Sequence, residues 1–498
     1  SIIKLAGLIG IGSLFQYAKK NNSLEKKLLS EDAVKRFWLP ALIALHQIDP
    51  SIPVNPPVGT KDKDKDKDKD KDKDKDKDKD TDTGRWYYTT LAQRSHEIYK
   101  QQLQEAQYLR EKHPRRATEL SDIVPIEPND PALIERLQHY HRLLDDFNSS
   151  LIRPHIDITS TALRIPNIGI SRIPEDLIKD ETLSTYWQSL TSLNCSRNQL
   201  RALPQSLGNL TALQGLDCSI NQLDALPESL GNLTALQALD CSINKLRALP
   251  ESLGNLTALQ ALDCSINQLR ALPESLGNLM ALRALDCQHN QLRALPESLG
   301  NLAALRALDC HNNHLRALPE SLGNLVALQT LYCDDNQLRA LPESLGNLTA
   351  LNQLRCNKNK LRALPESLGN LMALELLSCD HNRLDALPES IGKLVALQRL
   401  NCEYNKLRAL PESMGNLAAL NQLVCHFNQL RELPDTLCSR FFKGWRSNTL
   451  KYQMPAPEQQ AAFLPQFAAN NAQAPLANAQ SSPSAEPEQK RKKHNEPK

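Results

Sequence analysis

A single 23-residue unit, reading LQALDCSINQLRALPESLGNLTA, starts at Leu190 and recurs at Leu213, Leu236, Leu259, Leu282, Leu305, Leu328, Leu351, Leu374, Leu397 and Leu420 with no insertion. Eleven adjoining copies dictate the architecture, because a unit this short cannot enclose a core and must bury its apolar face against its neighbours. Each copy carries leucine at positions one, four and eleven, cysteine at six and asparagine at nine. Eleven of the 12 cysteines, Cys195 to Cys425, fall on this interval. That periodicity reads as a stack of small core residues and outweighs a disulfide framework.

The first half of the unit is expected to be a strand. Side chains alternate across a strand, which turns Leu216 and Cys218 to the core and Asp217 and Ser219 to solvent. The ninth-position asparagine, Asn198 through Asn428, can bond backbone groups with both its carbonyl and its amide where the chain leaves the strand. The return half, LRALPESLGNL, sets proline after the fourteenth-position leucine and glycine near the end of a short helical turn. The expected fold is an α/β repeat solenoid, a curved horseshoe with a parallel concave sheet, an N-terminal helical region and disordered flanks.

The pattern LxxLxCxxNxL, with its LPESLGNL return, resembles the leucine-rich repeats of Shoc-like and plant intracellular Ras-group-related proteins. The resemblance covers residues 190–437 and departs from that family at position six, which is usually aliphatic there and is cysteine here. Helices ahead of an LPE-rich array also resemble the secreted leucine-rich repeat effectors of bacterial pathogens, which commonly use shorter repeats. The first resemblance implies a binding scaffold. The second implies an effector acting in a host cell, as the recognition part of a ubiquitin-ligase assembly.

Outside the array the chain divides by composition. Residues 1–60 open with an apolar stretch, 2–18, which is marginal in length for a membrane span. A buried or lightly associating helix is the preferred reading, with a membrane or targeting role as the alternative. Residues 61–84 contain ten Lys-Asp pairs, read as a solvated linker. Residues 85–162 are read as helical: Trp86, Leu91, Ile98 and Leu109 fall at mostly helical intervals, and Leu133, Leu137, Tyr140 and Leu144 follow Pro131. Residues 163–189, with Ile170, Ile173, Pro174 and Leu177, are expected to form a degenerate capping repeat. Residues 438–451 bring Phe441, Phe442 and Trp445 to cover the other open end, and 452–498 read as a disordered tail. The tail ends in Lys490, Arg491, Lys492 and Lys493, a soluble tail with nuclear import as the alternative.

Chemistry is sparse. With 59 basic and 57 acidic side chains, the net charge of +2 gives no electrostatic footprint for nucleic acid. Without a CxxC pair, and with sixth-position thiols facing the core, no metal site is expected. His96 and Glu97 begin an HExxH-like string that Lys100 interrupts, and there is neither a P-loop nor a nucleophile elbow. No catalytic residue and no cofactor are expected. Asn-Leu-Thr strings at Asn209, Asn232, Asn255 and Asn347 would matter only in a eukaryotic secretory route, and the free-thiol core argues against that route. Cytoplasmic placement follows, with a host-cell cytosol as the alternative.

The concave face, at positions three, five, seven and eight, remains. In the early repeats Asp217, Asp240, Asp263, Asp286 and Asp309 form an acidic column, most simply a solvated face. An arginine column, Arg201, Arg247, Arg270, Arg293, Arg316 and Arg339, is expected to pair with Glu228, Glu251 and Glu274 beside it. From the seventh repeat these concave positions diversify to Tyr332, Asp334, Asp335, Arg355, Lys358, Asp380, His381, Arg399, Glu403, Tyr404, His426 and Phe427. Aromatic and arginine side chains gathered on a rigid surface are the composition of a protein-binding hot spot. The expected function is non-enzymatic binding of a protein partner on this face.

Overall fold

A computed structural model describes residues 75–125, 133–431 and 433–437. Residues 2–18, the C-terminal cap with Phe441, Phe442 and Trp445, Cys438 and the basic tail lie outside the described residues. Two helices come first, α1 (Lys75–Lys112) and α2 (Leu133–Ile152). Twelve three-residue strands follow, from β1 (Ala162–Arg164) and β2 (Ser192–Asn194) to β12 (Gln422–Val424), interrupted near the start by two short helices, α3 (Glu175–Ile178) and α4 (Ser184–Ser189). They form one open parallel sheet in sequence order. From β2 onward every neighbour pairs at a shift of 23 residues, as in Leu216↔Leu239. Between β1 and β2 the shift is 30, Leu163 lying opposite Leu193; the extra length holds α3 and α4, whose Leu177, Ile178, Tyr186 and Trp187 are buried.

The core is one continuous apolar column from Ile152 to Leu437, with leucines from each return segment and the eleven cysteines inside it. Strand alternation places Leu216 and Cys218 inward, at 2% and 0% exposure. Ser219 is a correction: it is also buried, because its hydroxyl and amide both bond the Asp217 carboxylate, at 2.6 and 3.0 Å. Nine of the eleven buried thiols, Cys195 to Cys379, donate to the fifth-position carbonyl of the next repeat, as Cys218 Sγ does to Asp240 O at 3.3 Å.

The asparagine ladder ties each repeat to the one before. Asn267 Nδ2 donates to Cys241 O, Cys264 O and Ser265 O at 3.0–3.1 Å, and its Oδ1 accepts from Leu246 N at 3.0 Å. One side chain thus satisfies four backbone groups that a turn out of a strand would leave buried and unpaired. The return half is a five-residue 3-10 turn, such as Glu251–Asn255, entered by Pro250 at φ −69°. Successive turns stack so closely that a Cβ on Gly254 would lie 2.5 Å from Ser275 O, so only glycine fits there.

Helix α1 begins at Lys75, so the last Lys-Asp pairs, read as linker, are its first turns. Helices α1 and α2 share a small core of Ala106, Leu109, Leu120, Ile123, Tyr140, Leu144 and Phe147. They are joined to the first repeats through Arg172. Its guanidinium donates to both Glu105 oxygens at 2.8 and 2.5 Å, to Asp145 Oδ1 at 3.0 Å and to His141 Nδ1 at 2.7 Å. Because Nδ1 accepts from arginine, the imidazole proton sits on Nε2, which faces Asp145 Oδ2 at 3.2 Å. Burial, then the Arg172 charge, pushes His141 down to about 3, so the ring is neutral despite its carboxylate neighbour.

Candidate protein-binding face

The backbone that presents this face contains a feature the sequence did not announce. Position eight of every repeat is left-handed, from Arg197 (φ 58°) through Ile220, Ile243 and Ile266 to His381, Tyr404 and Phe427 (φ 50°). This conformation turns the chain out of the strand while its amides stay in the ladder: Ile243 N donates to Ser265 O at 3.0 Å and Asn244 N to Ile266 O at 3.2 Å. It is costly for a β-branched residue. Its geometric result is a single file of side chains at the rim of the concave sheet, adjacent rows being about 4.8 Å apart.

That file is chemically zoned. Ile243 and Ile266 are 41% and 46% exposed. His289 follows and meets Asn312 at 2.6 Å. Next come Asp335 and Lys358, paired at 2.9 Å. His381, Tyr404 and Phe427 then stack, with ring centroids 4.3 and 4.2 Å apart and planes inclined by 25° and 13°. Tyr404 and Phe427 are both 42% exposed.

Inside this rim, position five changes from the acidic column to Tyr332 and Arg355. The Arg355 guanidinium lies 4.5 Å over the Tyr332 ring, and the Tyr332 hydroxyl donates to Gln353 Oε1 at 2.6 Å. At position seven, Asp380 accepts from Ser378 Oγ at 2.6 Å and meets His381 Nδ1 at 2.9 Å. Glu403 is half-buried and has no cationic side chain within 4 Å among the described residues. Burial first, then Asp380, raises its carboxyl above the usual range. Arg399 and His426 are exposed, and Asp334 is half-buried with its carboxyl raised, burial being the main cause. All twelve residues read from the sequence therefore lie on β8–β12 (Thr330–Val424) or in the turns that follow these strands.

Diversification starts two repeats earlier than the aromatic residues suggest. Gln288 and His289 replace the Ser-Ile of the earlier copies, and His311 and Asn312 come next. His311 Nδ1 meets Asp309 Oδ1 at 2.7 Å and packs edge-on against His289 at 5.0 Å. Burial opposes a charge on His311, but the bond to Asp309 and the nearby carboxylates outweigh it and raise its pKa. The departure from Ser-Ile at positions seven and eight was a readable signal.

The acidic column is largely satisfied from within. Asp240 bonds the Ser242 amide and hydroxyl at 3.0 and 2.7 Å, and Asp286 bonds Gln288. Burial, then Asp263 and Asp309, pushes Asp286 up to about 7. The arginine column is not paired as expected. Among the described residues no ion pair joins it to the glutamates; Glu251 and Glu274 instead accept from Ser275 N and Ser298 N of the following 3-10 turns, each at 3.3 Å. No group of three or more His, Cys, Asp or Glu side chains among the described residues is arranged to hold a metal, and none of the described helices is long and apolar enough to cross a membrane.

Residues 187–295 and 286–383 match the family described as a leucine-rich repeat region. The array is a leucine-rich repeat solenoid. Among solved structures, a leucine-rich repeat protein of Leptospira interrogans is 27% identical, over 56% of this chain and 88% of its own, with a TM-score of 0.41. YopM, a leucine-rich effector protein of Yersinia pestis, is 30% identical over 58% of this chain and 84% of its own, with a TM-score of 0.43. The plant peptide hormone receptor RGFR1, solved in complex with RGF2, is 30% identical over 50% of this chain; the match spans 41% of the receptor, with a TM-score of 0.46. No curated protein matches the sequence.

Proposed function

We propose that the chain is a non-enzymatic scaffold that binds a protein partner on the concave face of repeats seven to eleven. One observation carries this reading: the leucine, cysteine and asparagine framework is unchanged along the array, while the exposed positions of β8–β12 turn aromatic and charged. Tyr404 and Phe427 hold over two-fifths of their surface in solvent on a rigid backbone, so binding would bury them with little loss of side-chain freedom. The reading places the protein in the cytoplasm, where eleven core thiols stay reduced.

The test is capture of partners from cytosol by the intact chain and by a variant with Tyr332, Arg355, Tyr404 and Phe427 replaced by alanine. Capture should be lost in the variant, since truncating one hot-spot side chain typically costs about 2 kcal/mol or more. A matched Asp217, Asp240 and Asp263 to Ser variant should keep it. Equal capture by all three proteins would refute the assignment of this face.

A further inference from the structure

The charge of the concave face is lopsided. Positions three, five, seven and eight of the array hold nine carboxylates but only four cationic side chains, Arg197, Arg355, Lys358 and Arg399. Two of the four are occupied, Arg355 over Tyr332 and Lys358 on Asp335. The early carboxylates are held by seventh-position partners, as Asp240 is by Ser242. Glu403 differs: it is half-buried, bonded by the Asn401 side chain with His381 and His426 nearby, forms no ion pair within 4 Å among the described residues, and stands beside Asp380 and next in sequence to exposed Tyr404.

Resting on the protein-binding reading, we propose that the partner presents an extended basic segment whose Lys or Arg side chains enter repeats seven to eleven, with the charge at Glu403 and over Asp380, itself buried and bonded to Ser378 and His381, and the aliphatic stem along the Tyr404–Phe427 stack. A carboxylate beside exposed aromatic rings suits such a side chain, which is apolar along its stem and charged at its tip. The spacing gives a register. A polyproline-II segment rises about 3.1 Å per residue and returns to the same face every third residue, so same-face side chains lie about 9 Å apart, close to two repeats at about 4.8 Å each. Asp334 and Asp380 occupy the same position two repeats apart. A segment with a basic residue at every third position therefore meets both.

The experiment measures binding of three labelled peptides, (Arg-Thr-Ser)4, (Gln-Thr-Ser)4 and (Glu-Thr-Ser)4, to the full chain by fluorescence anisotropy. The arginine peptide should bind at least tenfold more tightly than the other two. Glu403→Gln and Tyr404→Ala should each weaken it about tenfold, and Asp217→Asn with Asp240→Asn should change it less than twofold. Glu403→Arg with Asp380→Arg should transfer preference to the glutamate peptide, a gain that misfolding cannot mimic. Equal binding of the arginine and glutamine peptides, or an equal loss in the Asp217/Asp240 variant, overturns the proposal. So does a tenfold gain on changing Lys490, Arg491, Lys492 and Lys493 to Gln, which would assign the groove to the chain's own tail. If the four-alanine variant loses a natural partner while neither the arginine peptide nor the charge reversal has any effect, the basic segment is wrong and the scaffold reading stands. If partner capture is insensitive as well, both fail.

Discussion

Arg172 grips both carboxylate oxygens of Glu105, 67 residues away in sequence, with side-chain exposures of only 19% and 10%. The pair fastens the N-terminal helices to the capping repeat. Burial would raise the Glu105 carboxyl, but the Arg172 charge and its bonds outweigh that and hold it below the ordinary value. Replacing Arg172 with Met would leave a buried carboxylate uncompensated, and should cost about 3–5 kcal/mol in urea denaturation. Adding Glu105→Gln should recover part of that loss. If the double variant is less stable than the single, the pair is not what makes Arg172 important.

A second expectation concerns pH. Asp286 titrates at about 7 in the folded chain against an ordinary 3.8, so between these values the folded form keeps a proton the unfolded form has released. Stability from this site is therefore lost as pH rises through that window. Asp286→Asn should raise the melting temperature at pH 8, by a gain of up to a few kcal/mol, and should converge with the parent below about pH 4, where the carboxyl is protonated in both states. Parallel pH profiles for the two proteins would contradict the shifted carboxyl.

Thiol labelling tests the core register. Burial, then Glu403, raises Cys425 to about 11, and burial lifts the other ten array cysteines further. All eleven should resist a maleimide in native buffer and react once denatured. Rapid native labelling of several of them would be incompatible with the sixth position facing inward.

The left-handed file offers a stabilising change. Ile266 has φ 51° and is 46% exposed, so it bears the strain while burying little. Asparagine adopts this conformation more easily, and Ile266→Asn should stabilise the array by up to about 1 kcal/mol in thermal unfolding. A loss of that size would show that the isoleucine contacts outweigh the backbone strain.

The strands, the cysteine core and the asparagine ladder could be read from the sequence because each follows from an alternation of two or a period of 23. The twelve candidate surface residues could be placed for the same reason. What stayed hidden depends on neighbours distant in sequence or on backbone angles. Ile220, Ile243 and Ile266 give no hint of positive φ, since glycine and asparagine are the usual markers. Glu251 looks like a partner for arginine until the next 3-10 turn brings Ser275 N closer. The Arg172 network joins residues from three separate segments, and no local pattern specifies it.

The near-identity of adjoining units has a kinetic consequence. The copies beginning at Leu236 and Leu259 differ at two positions, Lys245 against Gln268 and Thr257 against Met280. A refolding chain that extrudes one whole unit as a loop can still align leucine with leucine and asparagine with asparagine across the gap. Such a frame-slipped isomer forfeits one interface and the entropy of closing a loop, but encounters no steric veto. The correct frame must therefore be enforced from outside the uniform stretch, by the α1–α2 anchor at one end and the chemically distinct repeats at the other.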